Sequence, residues 1–569
     1  MPPRRLAPDR RDILRGVGLL SSGAAMAAWS PGWAMTASTG AATAPSTLSG
    51  EDIKLVIGHA MIHIDGKARH AVSVNGAVPG PLLRLTQGQR ARISVTNTLE
   101  EASSIHWHGL LVPSAMDGVP GLSFPGIPPG ETFVYDFPVI QSGTYWYHSH
   151  SGLQEAEGLY APIVIAPMAA DPVAFDREHV VVLSDHSAMH PHLIFKRLKQ
   201  QPGAFNYQRQ TIGGLLAGKD QTLAERLEWA QMMMDATDIS DVTGAVQTFL
   251  VNGHGPQDNW TALFTPGERV RLRFINAAAQ MIFNVRIPGL TLTVVAADGQ
   301  NVRPVTVDEF QIGNAETYDV IVQPTEDKAY TLVAEAIDRS GMGRATLAPR
   351  AGMSAAVPER RPRPVLTMRD MGMDMSGHAD MGAMSMDMLD WSRAPQIKRG
   401  PGVQMIAPMP MDRTGEPGLG LADAGHRVLV YQDLIALEAN PDVRPPDRAM
   451  EIHLTGNMER FWWGFDGWKF SENPPPYSFR AGERVRVTLI NDSMMTHPIH
   501  LHGHFFELVH GPVGHMPRKH TVNVAPGGKV AFDFTAETGD WAFHCHMLYH
   551  MHAGMFQVVK VRPQDGASA

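Results

Sequence analysis

Polar and apolar residues alternate along Gly88-Gln-Arg-Ala-Arg-Ile-Ser-Val-Thr-Asn97. A period of two predicts a strand with one buried face, and the leading glycine predicts a turn before it. The pattern returns as Gly267-Glu-Arg-Val-Arg-Leu-Arg-Phe-Ile-Asn276 and again as Gly482-Glu-Arg-Val-Arg-Val-Thr-Leu-Ile-Asn491. Asn75-Gly76 and Asn252-Gly253 precede the first two copies and predict tight hairpin turns. Self-similarity at this scale implies repeated domains. The expectation is an all-β chain with three homologous β-sandwich or barrel domains, over 45–172, 173–340 and 426–569. Leu223 to Met234 reads as helix, inside an insertion at about 186–247 that caps the middle domain. Residues 341–425, rich in Pro, Gly, Asp and Met, read as a linker.

Composition agrees with strands and turns. The 569 residues include 54 Gly and 43 Pro, and only 18% are charged. A net charge of −9 without a basic stripe argues against nucleic-acid binding. No apolar run reaches membrane-spanning length. The N-terminus differs from the rest: Arg10-Arg11 precedes the weakly apolar stretch Gly16 to Ala28. That resembles a Tat export signal, so residues 1–44 are set aside as signal peptide and leader, and the expected compartment is the periplasm of a Gram-negative bacterium.

The second halves of the outer domains match as well. Gly143-Thr-Tyr-Trp-Tyr-His148-Ser149-His150 aligns with Gly539-Asp-Trp-Ala-Phe-His544-Cys545-His546. Two further clusters, His106-Trp-His108 and His497-Pro-Ile-His500-Leu-His502, precede them. The middle domain has no equivalent pairs and reads as structural. Eight histidines thus divide evenly between the first domain (His106, His108, His148, His150) and the third (His500, His502, His544, His546), which places one metal cluster at their interface. Cys545 is the single cysteine, so a disulfide within the chain is impossible. Along a strand, alternate side chains point to opposite faces, so Cys545 points one way and its flanking histidines the other. A thiolate with two imidazoles and a thioether, here His550 and Met555 just downstream, is the ligand set of a blue-copper electron-transfer site.

A second chemical feature lies in the linker. Met368, Met371, Met373, Met375, Met381, Met384, Met386 and Met388 alternate with Gly, Asp and Ser, which gives neither a helical apolar face nor a good strand. Thioethers select Cu(I). The tract therefore reads as a mobile copper-recruiting segment.

With His-x-His-Gly, His-x-His, His-x-x-His-x-His and His-Cys-His-x3-His-x4-Met in order, the chain resembles the multicopper oxidases. With Thr496-His497-Pro-Ile-His-Leu-His-Gly503, Arg518-Lys519-His520-Thr521-Val522-Asn523, the leader and the methionine tract, it resembles in particular the periplasmic copper-resistance oxidases. The resemblance implies cupredoxin-like domains and four copper ions. His497, Cys545 and His550 would hold the type 1 ion, with Met555 as weak axial ligand. His106 and His500 would hold the type 2 ion. The type 3 pair would use His108, His148 and His546 for one ion, and His150, His502 and His544 for the other. Electrons would cross from Cys545 through His544 or His546. Asp117 falls where relatives keep an acid that relays protons, although Asp117-Gly118 is also a good turn dipeptide. Met551 stands where some Cu(I)-oxidising relatives have an acid, leaving the second proton route unassigned. The implied reaction is one-electron oxidation of Cu(I) coupled to four-electron reduction of dioxygen, in copper resistance. Alternatives are a laccase-like oxidase of phenols or catechols, a periplasmic copper-sequestering protein and, more weakly, a copper nitrite reductase. The remaining histidines are expected behind the ligands, hydrogen-bonded to other groups or at the surface, and not on the metal.

Overall fold

The computed structural model describes residues 46–232, 234–373 and 388–563. The leader lies outside the described residues, as do Met375, Met381, Met384 and Met386 of the methionine tract. Strands dominate, and they assemble into three pairs of sheets. In the first pair, a five-stranded sheet ordered 47–49, 82–86, 160–166, 143–148, 106–108 packs on a four-stranded sheet ordered 67–74, 52–64, 90–97, 132–138. Ile93, Val95, Leu83 and Ile163 belong to their common core. The middle pair has six and five strands, and the last pair seven and five. Buried residues of the middle and last pairs form one continuous apolar cluster.

The repeated segments become the strands Arg90–Asn97, Val270–Asn276 and Arg484–Asn491. The structure also explains why each ends in asparagine. The Asn97 side-chain amide donates to the Ile127 and Glu101 carbonyls while its oxygen accepts from Leu99 N–H. Asn276 makes the same clasp with Ile312, Met281 and Ala278, and Asn491 with Val524, Met495 and Ser493. All three are fully buried, so each amide replaces solvent for backbone groups that the end of the ladder leaves unpaired. The predicted turns form at Asn75-Gly76 and Asn252-Gly253, with left-handed φ at all four residues. Asp466-Gly467 adopts the same conformation beside the third copy.

The insertion is helical, with α-helices Pro191–Gln200, Ile212–Leu216 and Leu223–Gln231. Thr222 and Glu225 close a capping box at the start of the last one. Ile194, Leu198 and Trp229 anchor these helices in the shared core.

Two expectations about the linker need correction. Met342–Ala348 is a strand paired with Tyr330–Ala336, so the middle domain continues past residue 341. Ala345 to Ala348 are buried without alternation between two neighbouring strands, and the Gly and Arg before them masked the pattern. The start of the methionine tract is also packed rather than free. Met368–Met371 forms a 3-10 turn, and Met371 and Met373 are buried in the core with Met405. The capping pair Thr367 and Asp370 fixes this turn, which carries the thioethers inward. At the far end of the tract, Met388 packs against the same core.

Candidate metal centre

The strand Gly539–Cys545 lies between His497–Leu501 and Phe556–Arg562, with Ile499 opposite Cys545 and His500 opposite His544. Its pleat sends Cys545 into one group of side chains and His544 into another. The first group is His497, Cys545 and His550. Cys545 Sγ is 3.6 Å from His497 Nδ1 and 3.8 Å from His550 Nδ1, and the two nitrogens are 3.2 Å apart. All three residues are fully buried, and so is Met555, whose carbonyl accepts from Cys545 N–H.

Partners behind the rings fix which nitrogen is free. His497 Nε2–H donates to Ser493 Oγ at 2.7 Å, and His550 Nε2–H donates to Asp241 Oδ2 at 2.5 Å. Both Nδ1 lone pairs therefore face the sulfur. Burial holds the His550 pKa down to about 3 and pushes the Cys545 thiol up, so the imidazole stays neutral while the sulfur needs a cation to ionise. Trp463 stacks on His550 with ring centres 4.2 Å apart and covers the site.

The second group joins the first and last domains. His108, His148 and His546 bring one nitrogen each within 4.8 Å of one another, and so do His150, His502 and His544. His106 and His500 form a third set with His108. Each expected triad thus takes histidines from both outer domains. His106 Nδ1–H donates to the Asp117 carbonyl at 2.7 Å, His500 Nδ1–H to the His520 carbonyl at 2.7 Å and His544 Nδ1–H to the Cys545 carbonyl at 2.9 Å. Asp117 is fully buried, and its Oδ2 accepts from His502 Nδ1–H at 2.8 Å. Its Oδ1 lies 3.4 Å from His106 Nδ1 and has no hydrogen bond.

The residues present fit a cluster of soft-to-borderline cations. His106 Nε2, His108 Nδ1, His148 Nε2, His500 Nε2 and His546 Nε2 are buried without hydrogen-bond partners, an arrangement that costs free energy unless something accepts their lone pairs. Between them, His502 Nε2 and His544 Nε2 approach to 3.0 Å. Burial first, then the crowding of imidazoles, holds His108, His500, His502 and His546 well below the ordinary histidine pKa. Neutral imidazoles directed at one another suit metal binding.

Three partners lie outside the site residues expected from the sequence. Asp241 reaches His550 from the loop after the last helix of the insertion, and Asp298 reaches the strand beside His500 from the middle domain. Glu155 lies 2.7 Å from His148 Nδ1 and 4.0 Å from His546 Nδ1. None belongs to a motif. Glu155 had one available signal, its place in the aligned hairpin one residue after Gln154, opposite the position of Met551. His520, expected behind the ligands or at the surface, is fully buried, with its Nδ1 3.2 Å from His108 Nε2.

Comparison with known proteins agrees. Three multicopper oxidase family models match residues 57–170, 220–357 and 443–565. The chain is similar to copper resistance protein A of Escherichia coli, 46% identical over 98% of this chain and 99% of that one. It is also similar to a multicopper oxidase of Mycobacterium tuberculosis, 31% identical over 92% of this chain and 89% of the other. Among solved structures, Fet3p, a multicopper oxidase that functions in iron import, superposes with a TM-score of 0.64 at 19% identity, covering 90% of each chain. At that identity the likeness speaks for the fold alone, which is cupredoxin-like in three domains.

Proposed function

This chain belongs to the multicopper oxidase family, and from that premise we propose that it oxidises Cu(I) with dioxygen in copper resistance. The observation that carries the choice of donor is the closure of the thiolate site. His497, Cys545 and His550 are all fully buried, Asp241 occupies the outer nitrogen of His550 and Trp463 covers its face. A phenol needs an open edge for contact, whereas a cuprous ion needs only thioethers and carboxylates leading to it. The methionine tract supports the same donor, and Met375, Met381, Met384 and Met386 are the members assigned to recruitment.

In this reading the type 1 ion is held by His497, Cys545, His550 and Met555. His106 and His500 hold the type 2 ion, and the two three-histidine sets hold the type 3 pair, four ions in all. Copper, when bound, accepts electrons singly at the thiolate and supplies four together to dioxygen. The chain contributes the route between centres, since Cys545 is joined to His544 and His546 by single peptide units. Asp117 fixes His502 through Oδ2 and keeps Oδ1 free to carry a proton beside His106. The twin arginines support export to the periplasm by the Tat route.

Oxygen uptake with Cu(I) and with a phenol, in one copper-loaded preparation, tests the proposal. Cu(I) should drive uptake and Cys545→Ser should abolish it. Faster uptake with the phenol would favour a laccase-like enzyme, and no uptake with either donor would favour sequestration. Replacing Met375, Met381, Met384 and Met386 by leucine should slow only the reaction at limiting Cu(I); an unchanged rate would remove the recruiting role.

A further inference from the structure

The middle domain carries no metal-site histidines, yet it reaches the trinuclear site through a carboxylate. Asp298 sits in a turn with left-handed φ of 48°, and its side chain is fully buried. One oxygen, Oδ1, accepts from Thr317 N–H of its own domain at 3.0 Å. The other, Oδ2, points into the third domain. There it accepts from His520 N–H at 3.1 Å and Thr521 N–H at 3.2 Å, and pairs with Lys519 Nζ at 3.0 Å. Lys519 Nζ also pairs with Glu316 at 3.1 Å, so a fully buried ammonium is balanced by two middle-domain carboxylates.

The peptide between His520 and Thr521 has two poles. Its N–H donates to Asp298, and its carbonyl accepts from His500 Nδ1–H at 2.7 Å. Charge at one pole polarises the other, because hydrogen bonds in series reinforce each other in a dry interior. The same two residues touch His108: Thr521 Oγ1 is 3.3 Å and His520 Nδ1 3.2 Å from His108 Nε2. His500 Nε2 and His108 Nδ1 are left facing the cluster without hydrogen bonds.

We propose that Asp298, clamped by Lys519, is a positioning residue for the type 2 copper, acting through the 520–521 peptide on His500. It stands where other metal sites place a carboxylate directly on a ligating histidine, with one peptide inserted between. The inference rests on the reading that His106 and His500 hold the type 2 ion. It gives the middle domain a part in the chemistry that no histidine count reveals.

The test uses the full chain, copper-loaded, with Asp298→Asn and, as its matched control, Glu316→Gln. Each variant leaves Lys519 one buried carboxylate as counter-ion, and only Asp298→Asn removes the acceptor of the 520–521 peptide. Both centres are followed during graded chelation, the type 1 ion by its thiolate absorption and the type 2 ion by electron paramagnetic resonance. The expected result for Asp298→Asn is type 2 affinity about 10–100-fold weaker with altered hyperfine splitting, and type 1 retention unchanged. A general loss of structure would move both centres together, and that result in Asp298→Asn overturns the proposal, as does an equal loss of the type 2 ion in Glu316→Gln. Wild-type affinity and splitting in folded Asp298→Asn also overturn it. A wild-type protein without any type 2 signal would instead overturn the ligand reading, and this inference with it.

Discussion

Gly118 shows how closely the metal site is built at single residues. It follows Asp117 with φ of 84°, and a Cβ there would lie 1.8 Å from the Ile105 carbonyl oxygen, directly before His106. Gly118→Ala combines a disfavoured backbone with a contact that only movement relieves, so a loss of about 1–3 kcal/mol is expected in urea unfolding. Copper-loaded activity should fall further than stability, since the displaced segments carry His106 and Asp117. Asp241 is the matching case at the thiolate site. Asp241→Ala leaves His550 Nε2–H without its acceptor, and type 1 copper should be stripped at about 10–100-fold lower chelator strength than in the wild type. Retention of the type 2 signal in the same titration separates this from unfolding. The Cys-His-Met part of the site was legible because its residues lie within one hairpin. Asp241 was not, because a lone aspartate in a loop carries no spacing to read.

Elements carry the next set of effects. His453, in the strand Arg448–Asn457, bonds Asp492 through Nδ1 at 2.6 Å and Glu451 through Nε2 at 3.0 Å. Burial alone would lower its pKa, but the two carboxylates outweigh burial and raise it to about 9. Its folded pKa therefore exceeds the ordinary value near 6.5. The stabilisation is complete below about pH 6.5 and fades as pH rises through 9. Urea unfolding of the wild type against His453→Gln should show a difference at pH 6 that shrinks by pH 10. Part of the methionine tract acts at the same scale. Met371→Ala should cost about 2–5 kcal/mol in thermal unfolding, as a core truncation does. Sequence alone could not single out Met371 and Met373 as core, because Met-x-Met spacing recurs along the tract.

For the whole molecule, the decisive surface is the junction of the outer domains. Each expected type 3 triad draws from both: His108 and His148 with His546, and His150 with His502 and His544. Folding must therefore bury many imidazoles against one another before any metal supplies compensation. Burial lowers their folded pKa values, to about 3 for His544, and does the same to His550 in the thiolate site, below the unfolded value near 6.5. The unfolded chain binds protons first, so the metal-free protein should lose stability progressively as pH falls from about 6.5 toward 3. Copper binds the same lone pairs in the folded state only, so loaded protein should resist acid further and melt at a copper-dependent temperature. Calorimetry of both forms between pH 7 and 4 checks this, and identical acid profiles would contradict it.

The sequence by itself determined the repeats, the turns, the thiolate hairpin and the even split of eight histidines. These are local patterns, set by strand alternation and by which side chains one strand presents to each face. Only the tertiary structure decided which carboxylates stand behind the ligands, that the thiolate site is covered and that Met371 and Met373 of the methionine tract are core. Those outcomes depend on segments hundreds of residues apart meeting in a dry interior. Asp298 and His520, 3.1 Å apart through a backbone hydrogen bond, have no relation along the chain that periodicity or spacing could express.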